Sequence, residues 1–128
     1  MKKPYFTFVI LSFLFLLISC NKSAEGLFEK VKNDTGFEFV SNPDGTEENT
    51  KSILVEVPET SENLVKLDIL KNSIDSYLDF LPNIEEKGGF DGELKDYYEW
   101  QNSQIRVWFR IRYNENDTIR IILFYTQK

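Results

Sequence analysis

The chain has 128 residues, enough for one domain, and carries 15 Lys and Arg against 21 Asp and Glu, a formal net charge of −6. This acidic balance argues against general nucleic-acid binding and against adhesion to anionic lipid headgroups. The chain has no histidine and only one cysteine, which removes the commonest general base, the usual zinc ligand and any disulfide within the chain.

The first 19 residues have the composition of an export signal. Lys2 and Lys3 form a short basic start. An apolar run follows from Tyr5 to Ile18, and the chain becomes polar directly after Cys20. As a helix, about 14 apolar residues reach only about 21 Å, short of the ~30 Å hydrocarbon core of a bilayer. We therefore interpret the run as a cleaved signal and not as a permanent membrane span.

The segment Leu17-Ile18-Ser19-Cys20 resembles the lipobox of bacterial lipoproteins, with an aliphatic residue three positions before the cysteine and a small residue just before it. In that family the cysteine thiol receives a diacylglyceryl group, a peptidase cuts before the cysteine, and the new amino terminus is usually acylated. The resemblance covers residues 1–20. It implies a signal at 1–19 and a lipid on Cys20 that anchors the protein stably to a membrane. An ordinary secretory signal with an incidental cysteine is the alternative.

Cleavage would leave 109 residues in which Lys and Arg fall from 15 to 13 against 21 Asp and Glu, a net charge of −8. We assign 20–26 to the lipidated cysteine and a short tether, and 27–128 to a single domain. Because no other cysteine is present, this domain must be held together by its apolar core, which a chain of about 100 residues can supply.

The first half of the domain contains one helix and two strands. Helical spacing of apolar residues predicts a short helix over 24–34. Residues 37–40 alternate and predict a strand, and 53–57 predict a second strand closed by Pro58. The turn sequence Asn42-Pro43-Asp44-Gly45 lies between them. We expect these two strands to pair as a hairpin.

A long helix is predicted over about 62–81, since apolar residues recur every three or four positions and Pro82 forbids continuation. The stripe consists of Leu64, Leu67, Leu70, Ile74, Tyr77, Leu78 and Leu81, widened by Val65, Ile69 and Phe80. A stripe of this width predicts packing against a sheet.

The last part of the chain predicts a three-stranded meander with turns at Asn102-Ser103 and at Asn114-Glu115-Asn116. The strands span 94–101, 104–113 and 117–126. Their core face carries Ile105, Val107, Phe109, Ile111, Ile119, Ile121, Leu123 and Tyr125. The fold class is therefore α+β: an antiparallel sheet with a carboxy-terminal meander, packed on the long helix and on the short amino-terminal helix.

The opposite face of the meander holds all four arginines of the chain together with aromatic residues. The candidate binding face consists of Tyr97, Arg106, Trp108, Arg110, Arg112, Arg120 and Phe124. The predicted register places Arg110 opposite Arg120, a like-charge pair that needs an anion between its members, and Arg106 beside Phe124.

Arginine with aromatics is typical of protein-interface hot spots and of carboxylate or phosphate sites. Two structural explanations compete with this interpretation. The arginines can pair with the chain's own acidic residues on a solvated face, or the amino-terminal helix can cover the apolar members.

Asp117-Thr118-Ile119 resembles the Asp-Ser/Thr-aliphatic triplet that accepts O-glycans on exported proteins of Bacteroidota, which makes Thr118 a candidate modification site. Only one acidic residue, Glu25, closely follows Cys20. This is a poor match to the acidic surface-export tag of lipoproteins from such bacteria, so we expect the periplasmic side.

No nucleotide-binding, calcium-binding or nucleophile motif is present, so we expect no enzymatic activity, no metal and no cofactor. We expect a lipid-anchored binding module of the cell envelope that recognises a protein partner and no nucleic acid. An immunity or inhibitor protein is one form of such a module. A binder of small ligands or polysaccharide, and a structural accessory subunit of an envelope complex, are the alternatives.

Overall fold

The computed structural model describes residues 23–43, 49–90 and 94–128. The predicted signal, the lipobox with Cys20 and the turn residues Asp44-Gly45 lie outside this part of the chain. In chain order the elements are α1 (Ala24–Thr35), β1 (Val40–Ser41), β2 (Thr50–Pro58), α2 (Ser61–Leu78), β3 (Glu85–Phe90), β4 (Leu94–Gln101), β5 (Ile105–Tyr113) and β6 (Thr118–Gln127).

The described strands form one antiparallel sheet in the order β1-β2-β6-β5-β4-β3. The fold is α+β, and the three carboxy-terminal strands form the predicted meander. Neither described helix is long and apolar enough to cross a membrane.

Helix α1 confirms the short helix predicted near the amino terminus. Its first turn is capped by Ser23, whose hydroxyl accepts a hydrogen bond from the Gly26 N–H at 3.2 Å. It ends at Gly36, which adopts a φ of 73° that favours glycine. Ala24 is already buried. Helix α1 thus begins within the range 20–26 that the sequence analysis assigned to the tether.

Helix α2 confirms the long helix, although it ends at Leu78 and its buried stripe is narrower than predicted. The buried members are Leu70, Ile74, Tyr77 and Leu78. The exposed members are Leu64 at 39%, Val65 at 62%, Ile69 at 38% and Phe80 at 48%. The predicted widening was wrong, because the sheet and α1 bury only one narrow side of this helix.

The strand predicted over 37–40 is only partly correct. Only Val40 and Ser41 pair with β2, in the antiparallel arrangement expected for the hairpin. Phe37 and Phe39 are both buried, with their rings edge to face at 6.0 Å and 80°. The alternating apolar pattern therefore arises because both rings are buried in the core, and not because these residues pair with a strand.

The core lies between the helices and one face of the sheet. Residues of α1, such as Leu27 and Val31, are fully buried in the same apolar cluster as Leu70 and Ile74 of α2. All eight meander residues predicted for the core face are buried. The proposal that the amino-terminal helix covers the opposite face was wrong, because α1 packs beside α2.

The turn between β4 and β5 is displaced by one residue from its predicted position. The two-residue loop is Ser103-Gln104, because the Asn102 Oδ1 atom accepts hydrogen bonds from the N–H groups of Gln104 and Ile105 at 2.8 and 2.9 Å. This side chain closes the turn from within. The cross-strand pairs are therefore shifted by two residues from the predicted register, and every side chain keeps its predicted face.

The turn between β5 and β6 is displaced in the same way. Its three-residue loop spans 115–117, closed by the Asn114 N–H, which donates to the Thr118 carbonyl at 2.9 Å. Asp117 adopts a φ of 58°, the left-handed conformation that ends such loops. The loop is therefore one residue later than predicted, and the β5–β6 pairs again differ by two residues.

Trp100 joins the sheet to helix α2. Trp100 is 1% exposed, and its Nε1–H donates to the Asp75 Oδ1 at 2.6 Å.

We expect Asp75→Ala to lower the free energy of unfolding by about 1–3 kcal/mol, because the buried indole N–H loses its acceptor. Asp68→Ala, at an exposed position of the same helix, should change it by less than about 0.5 kcal/mol. Urea unfolding of both variants measures the difference, and equal losses would contradict this role.

Candidate binding face of the sheet

The sheet face opposite the helices, here called the open face, carries no described element across it. The structure divides the predicted binding residues on this face into two neighbouring groups. The aromatic cluster comprises the predicted residues Tyr97, Arg106, Trp108 and Phe124 together with Glu99, which contacts Arg106 on the same face. The arginine cluster comprises Arg110, Arg112 and Arg120. The first group is held by internal contacts, whereas the second has few.

The centre of the aromatic cluster is an ion pair between Arg106 and Glu99. The Arg106 Nε donates to the Glu99 carboxylate, and a second guanidinium nitrogen donates to the Tyr97 hydroxyl at 3.1 Å. The Glu99 side chain is only 8% exposed, whereas that of Arg106 is 38% exposed. A buried carboxylate is thus neutralised by a cation that still reaches the surface.

These contacts shift the protonation equilibria of the cluster. Burial acts to lower the pKa of Arg106, but its hydrogen bonds to Glu99 and Tyr97 outweigh burial and raise the pKa above the ordinary value. Burial raises the pKa of Tyr97, and the hydrogen bond from Arg106 offsets part of that increase. Arg106 therefore stays charged and Tyr97 stays neutral at physiological pH.

The guanidinium of Arg106 also lies over the ring of Trp108. The guanidinium carbon lies 4.1 Å from the centroid of the Trp108 ring, and this ring stacks on Phe124 at 4.6 Å and 7°. The prediction that Arg106 lies beside Phe124 was wrong, because the shifted register pairs Phe124 with Trp108. The cation–π contact is present, with Trp108 as the aromatic partner.

The arginine cluster contains a like-charge pair across two strands, as predicted, but with a different member. Arg112 lies opposite Arg120, and Arg110 lies opposite Ile122. The predicted pairing of Arg110 with Arg120 was wrong, because the β5–β6 turn is displaced by one residue. All three arginines are exposed, and none forms an ion pair with a carboxylate of the described residues.

The nearest carboxylate in the register is turned elsewhere. Glu56 of β2 lies opposite Arg120. Its Oε1, however, accepts a hydrogen bond from the Asn114 Nδ2 at 2.8 Å and lies 3.1 Å from the Thr118 hydroxyl. The turn thus engages the acid that lies opposite Arg120 in the register. The interpretation of a solvated face paired by the chain's own acids holds for Arg106, whereas no carboxylate of the described residues pairs with the other three arginines.

A depression of about 480 Å³ lies over the arginine cluster. It is lined by Arg110, Ile111, Arg112, Tyr113, Arg120, Ile122 and Phe124. Three arginines thus share the lining with the apolar residues Ile122 and Phe124, a composition that suits an anionic group carried on an apolar frame. Among the described residues, no group of three or more acidic, cysteine or histidine side chains could hold a metal ion.

Sequence reasoning missed the contribution of β2 to this face. Leu54 lies opposite Ile122 and Glu56 opposite Arg120, so β2 extends the open face beyond the meander. The alternation over residues 53–57 carried this signal, since Ile53 and Val55 are buried while Leu54 and Glu56 point to the other face. The position of β2 beside β6 was not visible in the sequence.

Thr118, the candidate glycosylation site, lies at the end of the last hairpin as predicted. Thr118 is partly exposed, and its hydroxyl lies 2.6 Å from the Asn116 Oδ1 and 3.1 Å from the Asn114 Nδ2. The hydroxyl therefore has local hydrogen-bond partners, and its modification remains a prediction.

Comparison of the chain with protein-family models, with curated proteins and with solved structures found no match.

The ion pair of the aromatic cluster makes a testable contribution to stability. Arg106→Met should lower the free energy of unfolding by about 1–3 kcal/mol, because the buried Glu99 carboxylate loses its cation. Arg112→Met should leave stability unchanged or slightly higher, since it removes a like-charge contact. The double variant Glu99→Met/Arg106→Met should recover most of the loss. Equal effects of the two single arginine variants in urea unfolding would show that the pair is not structural.

Proposed function

We propose that this chain is a lipid-anchored, non-enzymatic binding module of the bacterial cell envelope that recognises a protein partner through the open face of its sheet. The observation that carries the proposal is the composition and exposure of that face. A stacked tryptophan, an ordered arginine and three arginines without described carboxylate partners lie together on a surface that no described element covers.

The aromatic cluster supports recognition of a protein. Trp and Arg are the residue types most enriched at interface hot spots. Arg106 is already ordered by Glu99, Tyr97 and the Trp108 ring, so binding would cost little additional side-chain entropy. Both Arg106 and Phe124 lie against Trp108, which reduces the ring surface available for stacking on a sugar and favours a protein over a polysaccharide.

The position of α1 supports an anchor at the opposite end of the sheet from the arginine cluster. Glu25, in the first turn of α1, forms an ion pair with Lys51 at the start of β2. Arg120 lies opposite Glu56, five residues further along β2, or about 17 Å at 3.3 Å per residue. A lipid on Cys20 would be three residues from Ser23, a reach of at most about 11 Å. The arginine cluster would therefore face away from the anchoring membrane.

The anchor is tested by replacing Cys20. Cys20→Ala should abolish acylation and processing, because the thiol is the proposed acceptor of the lipid. The unchanged chain should partition into detergent and lose its first 19 residues, as measured by phase separation and intact mass. An Ile18→Val variant, which keeps an aliphatic residue, serves as the control. Equal partition and equal mature mass of the Cys20 variant would refute lipidation.

The docking surface is tested by crosslinking from native membranes with a tagged full chain, followed by mass spectrometry. Arg110→Glu/Arg112→Glu should abolish recovery of a stoichiometric protein partner, with circular dichroism and thermal unfolding unchanged. Lys30→Glu/Lys32→Glu changes the net charge equally but lies on α1, on the helical side, and should retain the partner. If only abundant membrane proteins are recovered with the unchanged chain, the protein-partner proposal fails.

A further inference from the structure

The arginine cluster has the geometry of a receptor for paired carboxylates. Resting on the proposed function, we propose that Arg110, Arg112 and Arg120 bind an extended acidic segment of the protein partner, with acidic side chains at alternate positions. The ligand chemistry is thus two carboxylates on one face of a strand-like peptide, lying along β5.

No carboxylate of the described residues neutralises the cluster, which leaves it suited to an external anion. Arg112 and Arg120 form a cross-strand pair, whose Cα atoms lie about 5.5 Å apart in a sheet, and like charges at this distance destabilise it. Glu56, the acid in register, is engaged by Asn114 and Thr118. A carboxylate placed between the two arginines would relieve their repulsion and accept hydrogen bonds from both guanidinium groups.

The spacing of the cluster matches an extended segment. Arg110 and Arg112 are two residues apart on one strand, which separates their Cα atoms by about 6.7 Å. Acidic residues at positions i and i+2 of an extended peptide have the same separation and point to the same side. One carboxylate would then meet Arg110 and the other would meet Arg112 together with Arg120.

The surroundings favour a peptide over a phosphate group or an anionic lipid. Ile122 and Phe124 line the same depression, so part of the ligand surface in contact with the cluster is expected to be apolar. Beyond Arg110 on β5 lies Trp108, on the same face, where an apolar side chain two positions further along the peptide would rest. With the proposed anchor on Cys20, the cluster lies at the end of the sheet remote from the lipid, which disfavours contact with an anionic membrane surface.

The proposal is tested by NMR of the arginine Nε–Hε resonances in the full chain, held in zwitterionic detergent micelles. The probe is a blocked peptide of sequence Leu-Ser-Glu-Ser-Glu, and the matched control is Leu-Ser-Gln-Ser-Gln. Inorganic phosphate and micelles containing phosphatidylglycerol are compared at the same ionic strength. The acidic peptide should shift the resonances of Arg110, Arg112 and Arg120 saturably in the millimolar range. The resonance of Arg106, which Glu99 engages, should move less than the other three, by no more than contact of the peptide with the neighbouring Trp108 ring produces.

Variants of Arg120 sharpen this test. Arg120→Gln should weaken binding of the acidic peptide about fivefold to tenfold, because one carboxylate loses a charge-assisted partner. Arg120→Lys should recover only part of the loss, since it keeps the charge without the planar fork. Arg120→Lys should keep the thermal unfolding of the unchanged chain, and Arg120→Gln should keep it or raise it slightly, because it removes the like-charge contact with Arg112.

Several results would overturn the proposal. Equal shifts with the glutamine peptide would show that carboxylates are not recognised, and tighter binding of phosphate or phosphatidylglycerol would assign the cluster to another anion. A shift of Arg106 equal to the others would indicate general screening. Absence of any shift in the millimolar range would also refute the proposal.

If Arg110→Gln/Arg112→Gln/Arg120→Gln still captures the protein partner from membranes, this inference fails while the proposed function stands. If the unchanged chain captures no partner, the proposed function itself fails.

Discussion

The arrangement of the described residues depends on the packing of their two helices against one face of their six-stranded antiparallel sheet. Leu27 of α1 and Leu70 of α2 belong to the same buried cluster as Val107 and Ile121 of the sheet. Period-two alternation then sends the remaining strand side chains to a surface that the described elements do not cover. A sheet covered on one side leaves its other side to water or to a partner, and this constraint makes the open face the place to seek function.

The buried Glu99 carboxylate organises half of this face. A charge taken out of water is stable only when it is paired and hydrogen-bonded, and Arg106 supplies that pairing. The Arg106 guanidinium is held by Glu99 and Tyr97 and also lies over the Trp108 ring. This ring stacks in turn on Phe124. One buried acid thus sets the conformation of a partly exposed aromatic surface. The side-chain entropy of Arg106 is therefore lost on folding and not on binding.

The arginine cluster follows the opposite rule. Its members are gathered by strand register, without carboxylates of the described residues to compensate them. The Asn114 and Thr118 side chains draw Glu56 toward the last hairpin, so the turn that sets the register also withdraws the neighbouring acid. A domain with an acidic net charge therefore presents a small cationic depression at the end of the sheet away from the start of α1. Local charge can differ in sign from the total, and recognition depends on the local value.

Most of the fold and the membership of the open face could be predicted from the sequence, because helical and strand periodicities determine which side chains share a face. Both helices, the meander and its core face follow from this pattern. The cross-strand partners could not be predicted, because the hydrogen bonds of Asn102 and the left-handed Asp117 decide which residues form each turn. A turn displaced by one residue shifts the cross-strand pairing by two residues. Each side chain then keeps its face of the sheet but has a different cross-strand neighbour.

The sequence by itself thus determined that arginines and aromatics share one surface. Only the tertiary structure decided that Arg106 is neutralised by Glu99 and that Arg112 meets Arg120, because both contacts depend on register.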